Sequence, residues 1–412
     1  MKSFEVPIIY RSPLISAIKK KRKEEDKMKR DFSPTLLDFG TLQIYLARHF
    51  GFCYGVENAI EIAFKTVEES RKSGTGKRIF LLSEMIHNPV VNADLQAHGI
   101  EFMQDTYGKQ LISFDELTAD DIVIIPAFGT TLQLEEKLKK IGLQTEKYDT
   151  TCPFVEKVWN RSEQIAKKKY TIVIHGKPKH EETRATFSHA SSHSPAVVVK
   201  DMEQAIELSK YILGEKPAEQ FYKEFEGQYS DGFDVTKDLE RIGVVNQTTM
   251  LAENTQAIAD FLKQTMIKKY GLINNVAEHF ADTRDTLCYA TNDNQTAVKT
   301  MLETKADLAI VVGGYNSSNT SHLVELCEEK LPTCFINDDE KIISAKEILH
   351  YDLHSKQEQL THNFLPEKDQ IKILLTSGAS CPDALVEAVI NKLAGFFNTK
   401  TTTERLTREF EV

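Results

Sequence analysis

The sequence has few of the features that mark membrane, secreted or nucleic-acid-binding proteins. No stretch approaches the ~18 to 20 apolar residues that a membrane-spanning helix needs. Six cysteines among 412 residues are too few for a disulfide scaffold. Acidic residues outnumber basic ones, 61 to 51, and the resulting net charge of −10 disfavours a general nucleic-acid binder. We therefore expect a globular protein of two or three domains, with neither nucleic acid nor a membrane as a partner.

The N-terminal region also lacks the pattern of a targeting peptide. No apolar run backed by small residues is present, so we expect no signal peptide. Residues 11–31 are basic but include four acidic residues, whereas transit peptides are poor in acids. We interpret this segment as a solvated helix or arm. The expected compartment is a reducing cytoplasm, where cysteines tend to be metal ligands or catalytic groups.

Short apolar runs rich in valine and isoleucine alternate with amphipathic helical stretches. Their length fits strands buried on both faces. The alternation of strand, loop and helix implies parallel sheets with helices outside, so we predict an α/β fold class with mainly parallel sheets. The predicted strands are 42–49, 78–84, 121–128, 170–176, 241–249, 306–314 and 371–379.

A pattern of strand, cysteine-bearing loop and helix occurs three times along the chain. It predicts three similar α/β units, flanked by an N-terminal extension and a C-terminal tail. Two polar segments, 214–240 and 350–370, are interpreted as insertions. The predicted segments are 1–40 (extension), 41–150, 151–285 and 286–398 (units 1 to 3 of the prediction) and 399–412 (tail).

Three cysteines, Cys53, Cys152 and Cys288, lie in loops between a predicted strand and a helix. The exposed amides and the dipole of a helix N-terminus favour a thiolate over a thiol. Cys327 and Cys334 instead fit the pattern of small buried hydrophobic residues. The wide spacing of the loop cysteines is unlike the compact Cys-x-x-Cys pattern of zinc ribbons or ferredoxins. Taken alone, they leave open separate structural cysteines, one shared metal site, or a single nucleophile.

Loops rich in histidine, serine and asparagine also follow predicted strands. In doubly wound sheets, ligands bind at the carboxyl ends of the strands. Hydroxyl, amide and backbone N–H donors at such ends bind phosphate oxygens without a Walker lysine. Each loop alone fits a simple helix cap, but together they favour an anion pocket. The loops are HNPVV (87–91), HGKPKHEET (175–183), GGYNSSNTSHL (313–323) and TSGASCPD (376–383).

Eight motifs in a single order resemble those of the 4-hydroxy-3-methylbut-2-enyl diphosphate reductase family. They span roughly residues 41–398. The resemblance implies three α/β units in a pseudo-threefold trefoil around a central iron–sulfur cluster. It also implies reduction of (E)-4-hydroxy-3-methylbut-2-enyl diphosphate to isopentenyl and dimethylallyl diphosphate, the last step of non-mevalonate isoprenoid precursor synthesis. The motifs are GFCYGVENAI, HNPVV, TCPFVEKV, KHEET, NQTT, CYATNDNQ, YNSSNTSHL and TSGASCPD.

The resemblance implies a role for individual residues. Cys53, Cys152 and Cys288 would ligate one 4Fe-4S cluster per chain, which leaves one iron open to bind the substrate hydroxyl as a Lewis acid. Glu182 would supply protons, and Thr248 would help to hold the substrate hydroxyl and the proton relay. The residues implied to bind the diphosphate are His87, His180, Ser317, Ser318, Asn319 and Ser380.

One loop departs from the pattern of many bacterial members. Phe128, in PAFGTT (126–131), stands where those members have a histidine, whereas a branch with plant and cyanobacterial members has Ala-Phe-Gly there. Thr130 or Thr131 is the candidate for a replacement hydroxyl. The sequence shows no flavin or nicotinamide fingerprint, so we expect an external electron donor of the ferredoxin or flavodoxin type.

Two other function classes make different demands on the same residues. A non-catalytic iron–sulfur or zinc sensor would need the cysteines but neither Glu182 nor the serine-rich loops. A transferase or phosphatase with a cysteine nucleophile would need one activated cysteine with a histidine base, and would tolerate loss of the other two.

Overall fold

The structure is a computed structural model that describes residues 4–74, 76–271, 275–281, 286–397, 399 and 401–411. The chain forms two compact units. Unit 1 comprises Met1–Glu61, Ile86–Asp94 and Tyr289–Val412, and unit 2 comprises Ile62–Met85 and Leu95–Cys288. Each unit is described by itself below.

The strands in chain order are β1 (Thr35–Asp38), β2 (Leu42–Leu46), β3 (Ile79–Leu81), β4 (Ile100–Phe102), β5 (Ile122–Ile124), β6 (Thr171–His175), β7 (Ala196–Val199), β8 (Ile242–Asn246), β9 (Leu308–Val312), β10 (Thr333–Ile336), β11 (Glu347–Asp352), β12 (Gln357–His362) and β13 (Ile371–Ser377).

The α-helices in chain order are α1 (Pro13–Glu25), α2 (Tyr54–Ser73), α3 (Pro89–Ala97), α4 (Leu132–Ile141), α5 (Pro153–Ala166), α6 (Glu181–Ser191), α7 (Met202–Leu213), α8 (Ala218–Glu224), α9 (Val235–Asp238), α10 (Ala252–Tyr270), α11 (Tyr289–Met301), α12 (Ser318–Glu328), α13 (Asp383–Ala394) and α14 (Thr403–Glu411). Short 3-10 helices lie at Ile8–Tyr10, Phe114–Glu116, Thr145–Tyr148, Val276–Glu278 and Asp339–Lys341.

Unit 1 is built on a five-stranded sheet in the order β1-β2-β13-β9-β10. Its central strand, β13, runs parallel to both neighbours, with Ile373 opposite Ile44 on one side and Leu308 on the other. Strands β2, β9 and β13 are apolar and largely buried, because helices cover the sheet in an α/β layer structure. The parallel pairing places the loops after β9 and β13 at one edge.

Unit 2 contains two three-stranded parallel sheets, in the orders β4-β3-β5 and β7-β6-β8. In the second sheet, Val173 of β6 lies opposite Val197 of β7 and Val244 of β8. Helices α5, α6 and α7 pack against these strands, so every residue of β6, β7 and β8 is buried. The loops after β6 and β8 therefore emerge side by side.

The predicted fold class, α/β with mainly parallel sheets, is confirmed. Each of the seven predicted strands contains an observed strand, and among the described strands only β1–β2 and β11–β12 pair antiparallel. The predicted segment boundaries stay a prediction, but one observed strand pairing joins two of the predicted units. Strand β2, assigned by sequence to the first α/β unit, pairs with β13, which lies in the third. A pairing between strands so far apart in the chain leaves no local pattern to detect.

The N-terminal segment is more than the solvated arm that its charge indicates. Helix α1 forms, with the Ser12 hydroxyl accepting a hydrogen bond from the Ile15 N–H at 2.9 Å. However, Leu14, Ile15 and Ile18 are buried, and the helix packs against α13 and α14. The interpretation as a solvated helix is therefore wrong for this apolar face, whose spacing the flanking charges obscure.

The two predicted insertions have ordered structures. Segment 214–240 contains α8 and α9, and its phenylalanines Phe221, Phe225 and Phe233 are buried in a hydrophobic core with residues of β7 and β8. Segment 350–370 contains most of the β11–β12 hairpin. No helix of the described residues is both long and apolar enough to span a bilayer.

Candidate functional site

Each of the three loop cysteines directly precedes a helix, as predicted. Helix α2 begins at Tyr54, α5 at Pro153 and α11 at Tyr289, each one residue after a cysteine. Cys53 and Cys152 are partly exposed, and Cys288 is buried. All three therefore lie where free N–H groups and the positive end of the helix dipole stabilise negative charge.

The surroundings of Cys53 differ from those of the core cysteines. Burial raises the pKa of the Cys53 thiol, but the backbone N–H groups of Val56 and Gly55 hydrogen-bond to the sulfur and act in the opposite direction. For Cys327 and Cys334, burial raises the pKa to about 12. These two behave as the small buried hydrophobic residues that the sequence predicts, whereas at Cys53 the N–H groups offset part of the effect of burial, which remains the larger influence.

In unit 1, the Cys53 loop is tied to the loops that follow β9 and β13. The Cys53 N–H donates to the Ala379 carbonyl at 3.2 Å. The Ala379 N–H in turn donates to Oδ1 of Asn319 at 2.9 Å, which fixes the orientation of that amide. The predicted ligand Cys53 and the predicted binding residue Asn319 are thus held by one backbone unit.

His87 joins the same group of loops. Its carbonyl accepts a hydrogen bond from Oγ of Ser380 at 3.0 Å, and the residue is buried. The approach of this loop requires a glycine, because a Cβ at Gly314 would lie 2.3 Å from the His87 carbonyl oxygen. The structure therefore brings His87, Ser380 and the Gly313–Gly314 turn together at the end of the sheet.

The start of α12 offers donors that have no acceptor among the described residues. The Ser317 hydroxyl caps the helix by accepting from the Thr320 N–H at 3.3 Å. Next to it, the Ser318 hydroxyl and the Asn319 Nδ2 group are buried, and neither has a hydrogen-bond partner among the described residues. Because unpaired buried donors cost free energy, this arrangement fits a bound anion at the helix N-terminus.

In unit 2, Glu182 and Thr248 form a buried hydrogen-bonded pair. Oε1 of Glu182 accepts from the Thr248 N–H at 2.5 Å, and Oε2 accepts from the Thr248 hydroxyl at 2.9 Å. Only 1% of Glu182 is exposed. The pair forms because Glu182 follows β6 and Thr248 follows the adjacent parallel strand β8.

His180 and Gln247 support this pair. His180 caps α6, with Nδ1 accepting from the Glu182 N–H at 3.2 Å. Oε1 of the buried Gln247 accepts from the Lys177 N–H at 3.1 Å and from the Thr183 hydroxyl at 3.0 Å. Sequence reasoning missed Gln247, although it lies within the NQTT motif, because its partners come from a different loop.

Cys288 lies beside the same pair. Its N–H is 3.5 Å from the Thr248 carbonyl oxygen, in a long hydrogen bond. Close by, the Thr286 hydroxyl donates to Oδ1 of Asn246, the last residue of β8. The predicted acid Glu182, the predicted relay residue Thr248 and the predicted ligand Cys288 are therefore contiguous in unit 2.

Cys152 adjoins the loop with the unusual phenylalanine. The Cys152 N–H donates to the Ala127 carbonyl at 3.0 Å. The Phe128 ring contacts the His180 ring edge-on, with centroids 5.7 Å apart. The Thr131 hydroxyl caps α4 by accepting from the Leu134 N–H at 3.4 Å, and Thr130 is buried. Thr131 thus already has a structural role, which weakens it as a replacement for the family histidine.

The predicted residues divide between the two units. Unit 1 holds Cys53, His87, Ser317, Ser318, Asn319 and Ser380, and unit 2 holds Cys152, His180, Glu182, Thr248 and Cys288. Within the described part of the chain, no group of three or more His, Cys, Asp or Glu residues is placed to hold one metal ion.

Comparisons with known proteins agree with one another. The profile of the LytB protein family matches residues 44–394. A 4-hydroxy-3-methylbut-2-enyl diphosphate reductase from Synechococcus sp. (strain RCC307) is 42% identical over 355 residues, which cover 86% of this chain and 84% of the relative. The reductase of the same name from Gloeobacter violaceus is 40% identical over 361 residues, which cover 86% of this chain and 83% of the relative.

Solved structures show the same fold. The E-1-hydroxy-2-methyl-but-2-enyl-4-diphosphate reductase from Plasmodium falciparum is 26% identical with a TM-score of 0.58, covering 84% of this chain and 86% of its own. A structure of (E)-4-hydroxy-3-methyl-but-2-enyl diphosphate reductase is 24% identical with a TM-score of 0.51, and the match covers 85% of this chain and 99% of that one. At that identity, the second likeness concerns the fold alone.

Proposed function

Because the chain belongs to the LytB protein family and its relatives are 4-hydroxy-3-methylbut-2-enyl diphosphate reductases, we propose that it catalyses the same reaction. The substrate is (E)-4-hydroxy-3-methylbut-2-enyl diphosphate. Two electrons and two protons remove its allylic hydroxyl as water, and the products are isopentenyl and dimethylallyl diphosphate. The chain thus catalyses the terminal step of the non-mevalonate pathway.

Cys53, Cys152 and Cys288 are the proposed ligands of a 4Fe-4S cluster. Their common position at helix N-termini supports this role, because N–H groups there stabilise thiolates and the anionic cluster. The N–H groups directed at the Cys53 sulfur add to that support. When bound, a cluster held by only three thiolates supplies an iron that can act as a Lewis acid toward the substrate hydroxyl.

His87, His180, Ser317, Ser318, Asn319 and Ser380 are the proposed diphosphate-binding residues. The unpaired, buried donors of Ser318 and Asn319 support this assignment, since a diphosphate would supply the acceptors that the protein does not. Hydrogen bonds to an anion are short and strong compared with those between neutral groups. These hydrogen bonds would orient the substrate by its diphosphate group, which does not react.

Glu182 is the proposed proton donor, and Thr248 holds its carboxyl group. The observation that carries the proposal is their buried pair, which lies against Cys288. A carboxyl group buried with an anionic substrate takes up a proton more readily, as a donor near neutral pH must. A non-catalytic sensor would have no need of this pair.

Anaerobic turnover of the hydroxylated diphosphate, with a chemical reductant and Glu182→Gln as the variant, tests the proposal. We expect active wild type and a loss of at least ~100-fold in kcat for Glu182→Gln, because general acids contribute ~10²–10⁴-fold. Glu181→Gln, at the adjacent buried carboxylate, is the matched control and should retain activity. Wild type that leaves the substrate unchanged would contradict the proposed function.

A cytoplasmic location and an external electron donor of the ferredoxin or flavodoxin type complete the proposal. A reducing compartment keeps the three cysteine ligands as thiols and the cluster intact. A donor is needed because the reaction consumes two electrons for each substrate molecule.

A further inference from the structure

A basic patch lies on the N-terminal segment of this acidic protein. We define it as Lys20, Lys23, Lys27, Lys29 and Arg30, all of which are exposed. Seven basic and three acidic residues among residues 20–30 give a local charge of +4, whereas the whole chain carries −10. The patch lies outside the residues 44–394 that the family profile matches.

Nearby acidic groups, among them Glu24, Glu25 and Asp293, offset only part of the charge of the patch. Asp31 pairs with Arg22 at 2.8 Å, and a carboxylate oxygen of Asp26 accepts the Asp31 N–H at 2.8 Å. Within the described residues, no side chain of the basic patch forms an ion pair. In the midst of these cations the apolar side chain of Met28 is 69% exposed.

The segment that carries the basic patch is fixed against the Cys53 loop. Nζ of Lys19 donates to Oδ1 of Asp383 at 2.8 Å and lies 4.7 Å from the centre of the Phe50 ring. A Cβ at Gly51 would approach the Lys19 Nζ to 3.0 Å, so this turn and the helix are in close contact. Tyr10 further packs edge-on against Phe52, the residue before Cys53.

The other end of the basic patch reaches the residue that follows Cys288. Nζ of Lys29 lies 5.7 Å from the centre of the Tyr289 ring, and Tyr289 is 40% exposed. The patch therefore contacts Tyr289, the residue after the proposed ligand Cys288, and the helix that carries part of the patch also carries Lys19, which packs against the loop before the proposed ligand Cys53.

We propose that the basic patch is the docking surface for an acidic one-electron carrier protein that reduces this enzyme. Opposite charges steer such partners together, and small apolar contacts such as Met28 suffice for the weak interfaces of electron-transfer pairs. The inference rests on the proposed function. Each turnover takes two electrons, one from each of two carrier molecules, which are thereby oxidised. The allylic C–O bond of the substrate breaks, one proton leaves with the hydroxyl group as water, and the other proton forms the new C–H bond of the product.

The test compares two charge-reversed variants of the full-length protein, loaded with its cluster. The first is Lys23→Glu/Lys27→Glu/Arg30→Glu. The matched control, Lys168→Glu/Lys223→Glu/Lys263→Glu, makes the same change in charge at exposed positions of unit 2. The probe is a [2Fe–2S] ferredoxin of net negative charge, and its Kd is measured by calorimetry at low salt, where electrostatic attraction is strongest.

We expect the Kd of ferredoxin to rise at least ~10-fold in the patch variant and to change little in the control. Turnover driven by ferredoxin should fall in parallel, whereas turnover driven by dithionite-reduced methyl viologen should stay at the wild-type rate. A wild-type rate with methyl viologen shows that the patch variant is folded and carries its cluster.

An unchanged Kd in the patch variant, or an equal rise in the control, would overturn the docking proposal. So would duplex DNA that binds wild type as tightly as ferredoxin does, since the patch would then be a nucleic-acid surface. Failure of the proposed function is distinguishable, because wild type would then show no turnover even with methyl viologen, whatever its affinity for ferredoxin.

Discussion

At the residue scale, Glu182 and Thr248 are matched to each other. Both oxygens of the carboxyl group are engaged by one residue, through the backbone N–H and the hydroxyl of Thr248. This two-point contact fixes the orientation of the carboxyl plane, which a single hydrogen bond would leave free to rotate. A proton donor held in this way needs no reorganisation before it acts.

Replacing Thr248 by valine tests that contact. Thr248→Val keeps the shape and the backbone N–H but removes the hydroxyl that Oε2 of Glu182 accepts. A hydrogen bond between neutral groups, as in the protonated donor, is worth about 0.5 to 1.5 kcal/mol, so we expect kcat to fall about 2- to 10-fold. Steady-state turnover with a chemical reductant measures it. Thr248→Ser, which keeps the hydroxyl, should remain near wild type, and equal losses in both variants would refute the role of the hydroxyl.

The candidate site residues come from motifs in the sequence, and their roles stay a prediction. Cys53, Glu182 and Thr248 were predicted from their motifs. Gln247 was not, because its role is to bridge Lys177 and Thr183 across two loops, and no local pattern records a contact with a distant part of the chain.

At the element scale, the close approach of the His87 loop to the end of β9 depends on Gly314. Gly314→Ala would place a Cβ 2.3 Å from the backbone oxygen of His87, so one loop must move. We expect a stability loss of about 1 to 3 kcal/mol and a higher KM for the diphosphate substrate. Thermal unfolding and the KM check this. Gly395→Ala is the control, since its nearest neighbour would be 3.3 Å away; an unchanged KM in Gly314→Ala would contradict the assignment of His87.

The edge of the β4-β3-β5 sheet carries a pH-dependent ion pair. Asp121, just before β5, accepts from Nε and Nη2 of Arg78 at 2.9 and 2.7 Å and from the Thr118 N–H at 2.7 Å. Burial opposes ionisation, but the hydrogen bonds from Arg78 and Thr118 outweigh it and hold the pKa of Asp121 below its ordinary value. The carboxylate side chain is only 5% exposed, so the pair stabilises unit 2.

Asp121→Asn should therefore destabilise the protein by about 1 to 3 kcal/mol at pH 7. The contribution of the carboxylate is fully present above the unfolded-state pKa of about 3.9 and is lost as the pH falls through the lower folded-state value. The difference in Tm between wild type and variant should shrink below about pH 4. Glu68→Gln, at an exposed pair with Lys72, is the control and should not change Tm; a difference that persists in acid would contradict the pairing.

The elements that could be predicted are those with a strong local pattern. Strands β6, β8 and β9 are short buried runs rich in valine and isoleucine, and each was predicted within a few residues. The β11–β12 hairpin was not, because most of its residues are polar and only Ile348 among them is buried. Segment 214–240 was interpreted as an insertion because its core residues are aromatic and irregularly spaced rather than periodic.

At the scale of the whole molecule, each unit assembles part of the proposed machinery. Unit 1 contributes Cys53 with the proposed diphosphate-binding loops, and unit 2 contributes the Glu182–Thr248 pair with Cys152 and Cys288. The family match spans both, over residues 44–394.

The iron and sulfide content per chain, measured after anaerobic purification, tests the proposed 4Fe-4S cluster most directly. The account predicts about four of each in wild type. Cys53→Ala, Cys152→Ala and Cys288→Ala should each lose most of the iron, whereas Cys327→Ala and Cys334→Ala, at core positions, should keep it. Wild-type iron content in all three loop-cysteine variants, or equal losses in the core-cysteine controls, would contradict the account.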